Sequence, residues 1–123
     1  MNAILRKVSV LLIMSCLLFG CGEDLTSEDY LNKANEYISQ GKFEAAIIDL
    51  KNSLKEDDGN ARARAALGNI YFRRGQFADA DKELSRALSS RMDPSTVVPT
   101  LAQVLVGLGE FKRLDELPID GLD

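Results

Sequence analysis

The sequence predicts an all-α fold, a solenoid of helical hairpins about two and a half units long that follows an N-terminal export signal. Three observations carry this reading. The chain resembles itself at a constant offset of 34 residues, a glycine recurs where each first helix must stop, and the first 22 residues run from charged to apolar to small.

The N-terminal segment comes first. Met1 to Lys7 end in the basic pair Arg6 and Lys7, and Val8 to Phe19 form an almost uninterrupted apolar run before Gly20, Cys21 and Gly22. That is the order of a secretory signal, and a run of twelve residues falls well short of the ~20 that a permanent membrane-crossing helix needs. The string Leu18-Phe19-Gly20-Cys21 resembles a bacterial lipobox, with Phe19 standing where a small residue is usual. The resemblance implies cleavage before Cys21 and attachment of lipid to its thiol. Residues 1–20 are then a lipoprotein signal peptide and 21–26 a short linker. Cys16 is a small hydrophobe of the discarded run. Because Gly22 and not Asp follows the cysteine, the resemblance favours the periplasmic face of the outer membrane.

The repeat begins almost at once. Lys33 to Leu54 and Leu67 to Leu88 align without a gap, and Asn35, Tyr37, Gly41, Phe43, Ala46, Leu50 and Leu54 meet Asn69, Tyr71, Gly75, Phe77, Ala80, Leu84 and Leu88. A further step of 34 sets Leu101, Ala102, Gly109 and Phe111 on Leu67, Gly68, Gly75 and Phe77. Unit one is 27–60, unit two 61–94, and 95–123 is a partial third. Within each, small residues at Ala34, Gly68, Ala102, Ala46 and Ala80 allow two helix axes to approach. Tyr37, Tyr71 and Leu105 fill the space beside them, and Phe43, Phe77 and Phe111 form the next layer. Gly41, Gly75 and Gly109 accept the left-handed conformation that ends a helix.

These features predict helices over 27–39, 43–56, 61–73, 77–90, 95–107 and 111–117. Asp58-Gly59-Asn60 punctuates the first boundary. At the second, Asp93 caps a helix whose first turn holds Pro94. Pro99 is expected to be a tolerated first-turn residue as well. In the third unit Leu114 replaces the small residue of Ala46 and Ala80, and Pro118 cuts the second helix short. Each unit of such an array buries its apolar face against a neighbour, so an incomplete third unit leaves an edge that a longer array or another chain would cover.

Composition narrows the chemistry. The net charge is −4, and with Arg6 and Lys7 set aside the remainder carries 13 basic against 19 acidic residues, or −6. That sign argues against nucleic acid, which calls for clustered Lys and Arg. Without His or Trp, and with both Cys in or beside the leader, the usual metal sites and thiol catalysis are not expected. Ser, Asp and Glu are expected on solvated helix faces, Asp79 and Glu83 among them as an exposed one-turn pair. The expectation is of no enzyme, no cofactor, no metal and no small-molecule substrate.

The repeated residues are similar to the tetratricopeptide repeat (TPR), over about Ser27 to the C-terminus. The leader, the early start of the repeats, the stretch KNSLKEDDGNARARAALGNIYFRRGQFADADKELSRAL and the ending FKRLDELPIDGL together resemble the N-terminal part of the TPR lipoproteins that accompany the PEP-CTERM and exosortase sorting system. That resemblance implies a periplasmic adaptor near surface-protein sorting and exopolysaccharide production. Its members are far longer, which makes a truncated form of a longer protein an alternative. A general outer-membrane assembly lipoprotein of the TPR kind is another.

Stacked hairpins curve, and their first helices line the concave face. Groove positions of the family fall on Leu31, Asn35 and Ile38, on Ala65, Asn69, Phe72 and Arg73, and on Gln103 and Val106. Asn35, Asn69 and Gln103 form an amide row, able to donate to and accept from the backbone of an extended peptide. Leu31 and Ala65 stand where a carboxylate clamp would need a basic residue, so no such clamp is expected. Arg62, Arg73 and Arg74 are candidates for an acidic partner. The expected partners are a protein or peptide in the groove and a membrane through the lipid on Cys21.

Overall fold

The computed structural model describes residues 24–119. The signal peptide 1–20, the lipid-attachment residue Cys21 and the start of the linker lie outside the described residues. Within them the chain forms six α-helices and no strand: α1 Ser27–Ser39, α2 Phe43–Glu56, α3 Ala61–Arg73, α4 Phe77–Ser89, α5 Pro94–Leu108 and α6 Phe111–Asp115. None is long and apolar enough to cross a membrane.

Local chemistry sets the boundaries. Thr26 opens α1 with a capping box: its hydroxyl accepts from the Asp29 N–H, and the Asp29 carboxylate accepts from the Thr26 N–H. Those bonds to Thr26 hold the Asp29 carboxyl below its ordinary range. Asn60 caps α3 through the Ala63 N–H, and Asp93 caps α5 through the Ser95 N–H with Pro94 in the first turn. Each first helix ends at a left-handed glycine, which follows the cap residue in α1 and α3 and is itself the cap in α5. Gly41, Gly75 and Gly109 take φ of 71°, 71° and 74°. The N–H of the residue after each glycine then returns to a carbonyl five residues back, from Lys42 to Tyr37, Gln76 to Tyr71 and Glu110 to Leu105, each at 2.9 Å.

Chain neighbours pack as antiparallel hairpins, α1 with α2 and α3 with α4, while α5 lies on α4 and α6 on α5. First helices also meet directly where α3 touches α5. Two apolar cores result. One gathers Leu31, Ala34, Ala46 and Leu50 with Ala63, Leu67 and Ile70, and the other gathers Ala65, Ala80, Leu84 and Ala87 with Val97, Leu101, Val104 and Leu105. At Gly68 the approach of α3 to α4 leaves no room for a side chain, since a Cβ there would lie 2.6 Å from Leu84 Cγ.

Besides Asp49 on α2, which is buried, polar groups enter the interior in two hydrogen-bonded clusters. Ser53 is fully buried at the end of α2, where its hydroxyl donates to the Ser27 carbonyl at 2.8 Å and meets the Ser27 hydroxyl at 2.9 Å. The Asn60 amide donates to that Ser27 hydroxyl at 3.0 Å, so three elements share one network. Arg64 on α3 is buried and donates to Glu83 on α4 at 2.8 Å and to the carbonyl and carboxylate of Asp58 in the connecting turn. At the far end Arg113 of α6 forks onto the Asp81 carboxylate at 2.7 and 2.8 Å. That guanidinium holds the Asp81 carboxyl below its ordinary value, and the carboxylate in turn raises Arg113.

Several expectations are corrected. Pro99 is the sixth residue of α5 and so lies beyond the first turn. Its ring leaves the Ser95 carbonyl without the usual partner four residues on. The helix continues because Val97, Val98 and Leu101 bury beside it while Pro99 stays on the exposed side. Glu83 is not an exposed partner of Asp79 but a buried ion-pair residue, turned with Leu84 toward α3. Phe43 and Phe77 are half-buried as a second layer, but Phe111 is 62% exposed, since no described helix follows it. The ends of α4 and α6 fall at Ser89 and Asp115, one and two residues before the expected limits.

Candidate functional site

A cleft of about 400 Å³ opens where the three first helices and the start of α2 meet. Its walls come from the end of α1 (Ile38), the start of α2 (Phe43), the length of α3 (Ala66, Asn69, Ile70, Phe72, Arg73) and Thr100 of α5. Repeat geometry explains why it opens there. In the next seam Gly107 lies flat on the Phe77 ring, with space for no Cβ: one would approach the ring to 2.9 Å. The residue 34 places earlier is Arg73, and it stands with Phe43 at the cleft.

The structure brings together Ile38, Asn69, Phe72 and Arg73 of the expected groove residues. Asn69 is half-buried, and among the described residues its amide makes no hydrogen bond to the protein, which leaves it free for a ligand. Phe72 is braced by Phe77, ring centroids 6.0 Å apart. The remaining five lie elsewhere. Leu31 and Ala65, only 2% and 4% exposed, belong to the two cores. They sit near the N-terminal ends of their helices, where each first helix is covered by the next unit, so neither presents a side chain to a guest. Asn35 is exposed outside the cleft lining. Gln103 folds back, donating to the Pro99 carbonyl at 3.2 Å, and Val106 is exposed beyond the cleft.

Phe43, Ala66, Ile70 and Thr100 are lining residues that the sequence reading did not name as a site. Ala66 and Thr100 share one repeat position, three residues before Asn69 and Gln103, and that spacing on a helix marks a shared face. It was the available signal.

The three candidate cations differ. Arg62 pairs with Glu28 at 2.5 Å and Arg74 with Glu44 at 3.3 Å. Arg73 forms no ion pair among the described residues, and no carboxylate lines the cleft. The site therefore offers an apolar wall, one amide and one guanidinium. Such a set holds a segment of chain by burial, backbone hydrogen bonding and charge. Among the described residues, no three His, Cys, Asp or Glu converge as a metal site would require.

Known proteins place this geometry. A curated relative, the DnaJ homolog subfamily C member 3 of Rattus norvegicus, is 26% identical over 94 residues, which is 76% of this chain and 18% of that protein. Among solved structures, the crystal structure of YrrB, described as a TPR protein with an unusual peptide-binding site, superposes with a TM-score of 0.67 at 24% identity, over 87% of this chain and 58% of that one. The chain thus spans less than two thirds of the length of either. The profile of the tetratricopeptide repeat matches residues 37–104, more than half of the sequence, and the chain belongs to the tetratricopeptide repeat family.

Proposed function

We propose that this chain is a membrane-tethered scaffold that holds an extended segment of a protein partner in the cleft between Ile38, Phe43 and Phe72. The tetratricopeptide fold is an interaction scaffold, and one observation carries the finer reading. An apolar trough about 400 Å³ in volume contains an amide and a guanidinium that the protein itself leaves without a bonding partner. Apolar side chains of the guest would bury against Phe43, Ile70 and Phe72, its backbone would pair with Asn69, and Arg73 would favour an acidic neighbour. The peptide-binding site for which YrrB is described is consistent with this reading.

The tether and its place rest on the sequence. The Leu18-Phe19-Gly20-Cys21 string supports lipid attachment at Cys21, and Gly22 supports the periplasmic face of the outer membrane. Two or more acyl chains make such attachment stable where one is marginal. Within the envelope, the likeness to exosortase-associated lipoproteins supports a role in PEP-CTERM protein sorting or exopolysaccharide production. Crosslinking in the bacterial envelope tests the cleft. Asn69→Cys should trap a partner polypeptide that Lys82→Cys, on an exposed outer face, does not. Equal capture from both positions would remove the cleft from the reading. Cys21→Ser should release the protein from the membrane fraction.

A further inference from the structure

The two seams between units are built from the same repeat positions and close to different degrees. At the second, α3 packs on α5, Gly107 lies against the Phe77 ring, and Gln103 turns its amide back to the Pro99 carbonyl. At the first, α1 and α3 approach less closely, and the residues 34 places earlier are Arg73, Phe43 and Asn69, all three in the wall of the cleft.

Position 73 accounts for much of the difference. A Cβ at Gly107 would come within 2.9 Å of the Phe77 ring, closer than non-bonded carbons allow. Arg73 carries that Cβ, so α3 cannot settle on Phe43 as α5 settles on Phe77. A second exchange adds room, because Ile38 stands where the second seam has Phe72, whose ring braces Phe77 at 6.0 Å.

The residue that spaces the helices also supplies the charge. Glu44, next to Phe43 in sequence, is held by Arg74 at 3.3 Å, and Arg73 forms no ion pair among the described residues. Arg73 is exposed at the rim of the cleft, beside Phe43 and Phe72, where an anion carried by a guest can reach it while the guest's apolar part is buried.

We propose, on the reading of the cleft as the peptide site, that Arg73 is its specificity-determining residue. Its Cβ keeps the first seam open, and its guanidinium selects segments in which a side-chain carboxylate stands beside an apolar group.

Binding of short peptides, capped at both ends, to the full chain in zwitterionic phospholipid nanodiscs tests this. Each peptide carries one Phe and one Asp at a varied separation and is compared with its Asn counterpart. At the best separation Asp should bind about 5-fold tighter than Asn, the effect of one exposed ion pair, and the advantage should shrink as salt rises. Arg73→Ala, which keeps the Cβ, should bind both peptides equally, at the level of the Asn peptide. Arg73→Glu should prefer a Lys counterpart, and Arg73→Gly, which removes the spacer, should bind none of them. Equal binding of the Asp and Asn peptides by the unsubstituted chain would overturn the proposal and leave the cleft as the peptide site, as would an Asp preference that survives Arg73→Ala. Arg73→Gly binding as well as Arg73→Ala would remove the spacing role. A stronger response to an uncapped C-terminal carboxylate than to Asp would overturn the side-chain source. Absence of binding by every peptide would overturn the peptide site and the proposal together.

Discussion

At the scale of single residues, three positions hold contacts or conformations that ordinary substitutions would disturb in opposite directions. Gly68 lies in a helix interior, where Ala is better by about 1 kcal/mol from propensity alone. Its Cβ would, however, press on Leu84 Cγ and come within 3.3 Å of the Leu84 backbone nitrogen. Overpacking of that kind costs roughly 1–3 kcal/mol. Gly68→Ala should therefore lower the urea midpoint despite its better propensity. Arg91, just past α4, has φ of 61°, a conformation that costs a non-glycine residue about 1 kcal/mol. Arg91→Gly should raise the melting temperature by a few degrees. Glu83 is the third case. Removing Glu83 leaves the buried Arg64 only the exposed Asp58 carboxylate of the turn as an ionic partner, so the loss falls short of that of a wholly uncompensated buried charge, at about 2 kcal/mol. Glu83→Ala should cost about that much in urea denaturation, and the double change Arg64→Met with Glu83→Leu should recover most of it, because two apolar groups replace two desolvated charges.

At the scale of elements, what the sequence disclosed depended on whether the cause was local. The ends of α1, α3 and α5 were legible because Gly41, Gly75 and Gly109 enforce them through their own backbone, and Asp93-Pro94 announces a helix start by the same kind of local chemistry. Pro99 was misplaced because a helix can run through a proline when its neighbours bury, and that burial belongs to α4. Glu83 was misassigned because its partner Arg64 is 19 residues away. Leu31 and Ala65 share the repeat phase of true cleft residues, and only the packing of successive hairpins shows that this end of the stripe is sealed. The shortest element, α6, makes the element-scale prediction. It has no buried residue, and its main polar anchor is Arg113 on Asp81. Since Arg113 depresses the Asp81 carboxyl below its ordinary 3.8, the anchor contributes fully above that pH and is lost as pH falls through the lowered folded value. On acidification α6 should detach at lower pH than an unpaired aspartate would predict. Amide exchange at Leu114 and Leu117 would register this, and Asp81→Asn should abolish the pH dependence there.

At the scale of the whole molecule, the three described hairpins differ in how many of their faces are covered. Asp29, Lys33 and Glu36 make the outer face of α1 polar, so the first hairpin has one apolar interface and one solvated surface. The second hairpin is covered on both sides, as α3 faces the first core and α3 and α4 together face the second. Among the described residues, the third leaves its forward face exposed at Val106 and Phe111. In a solenoid each unit is stabilised by its own hairpin and by its neighbours, so local opening should follow the number of covered faces. Hydrogen exchange should be slowest in α3 and α4, intermediate in α1 and α2, where the Ser27, Ser53 and Asn60 network ties the seam, and fastest in α6. Substitution at the first seam tests whether the array unfolds as one body. Leu67→Ala removes a buried side chain shared by the first and second hairpins, at a cost of about 2–5 kcal/mol. If coupling between units is strong, exchange should quicken in α1 and α4 alike. Quickening confined to α1 and α2 would mean that the first hairpin opens independently, and that the cleft walled by Ile38 and Phe43 widens without unfolding the rest.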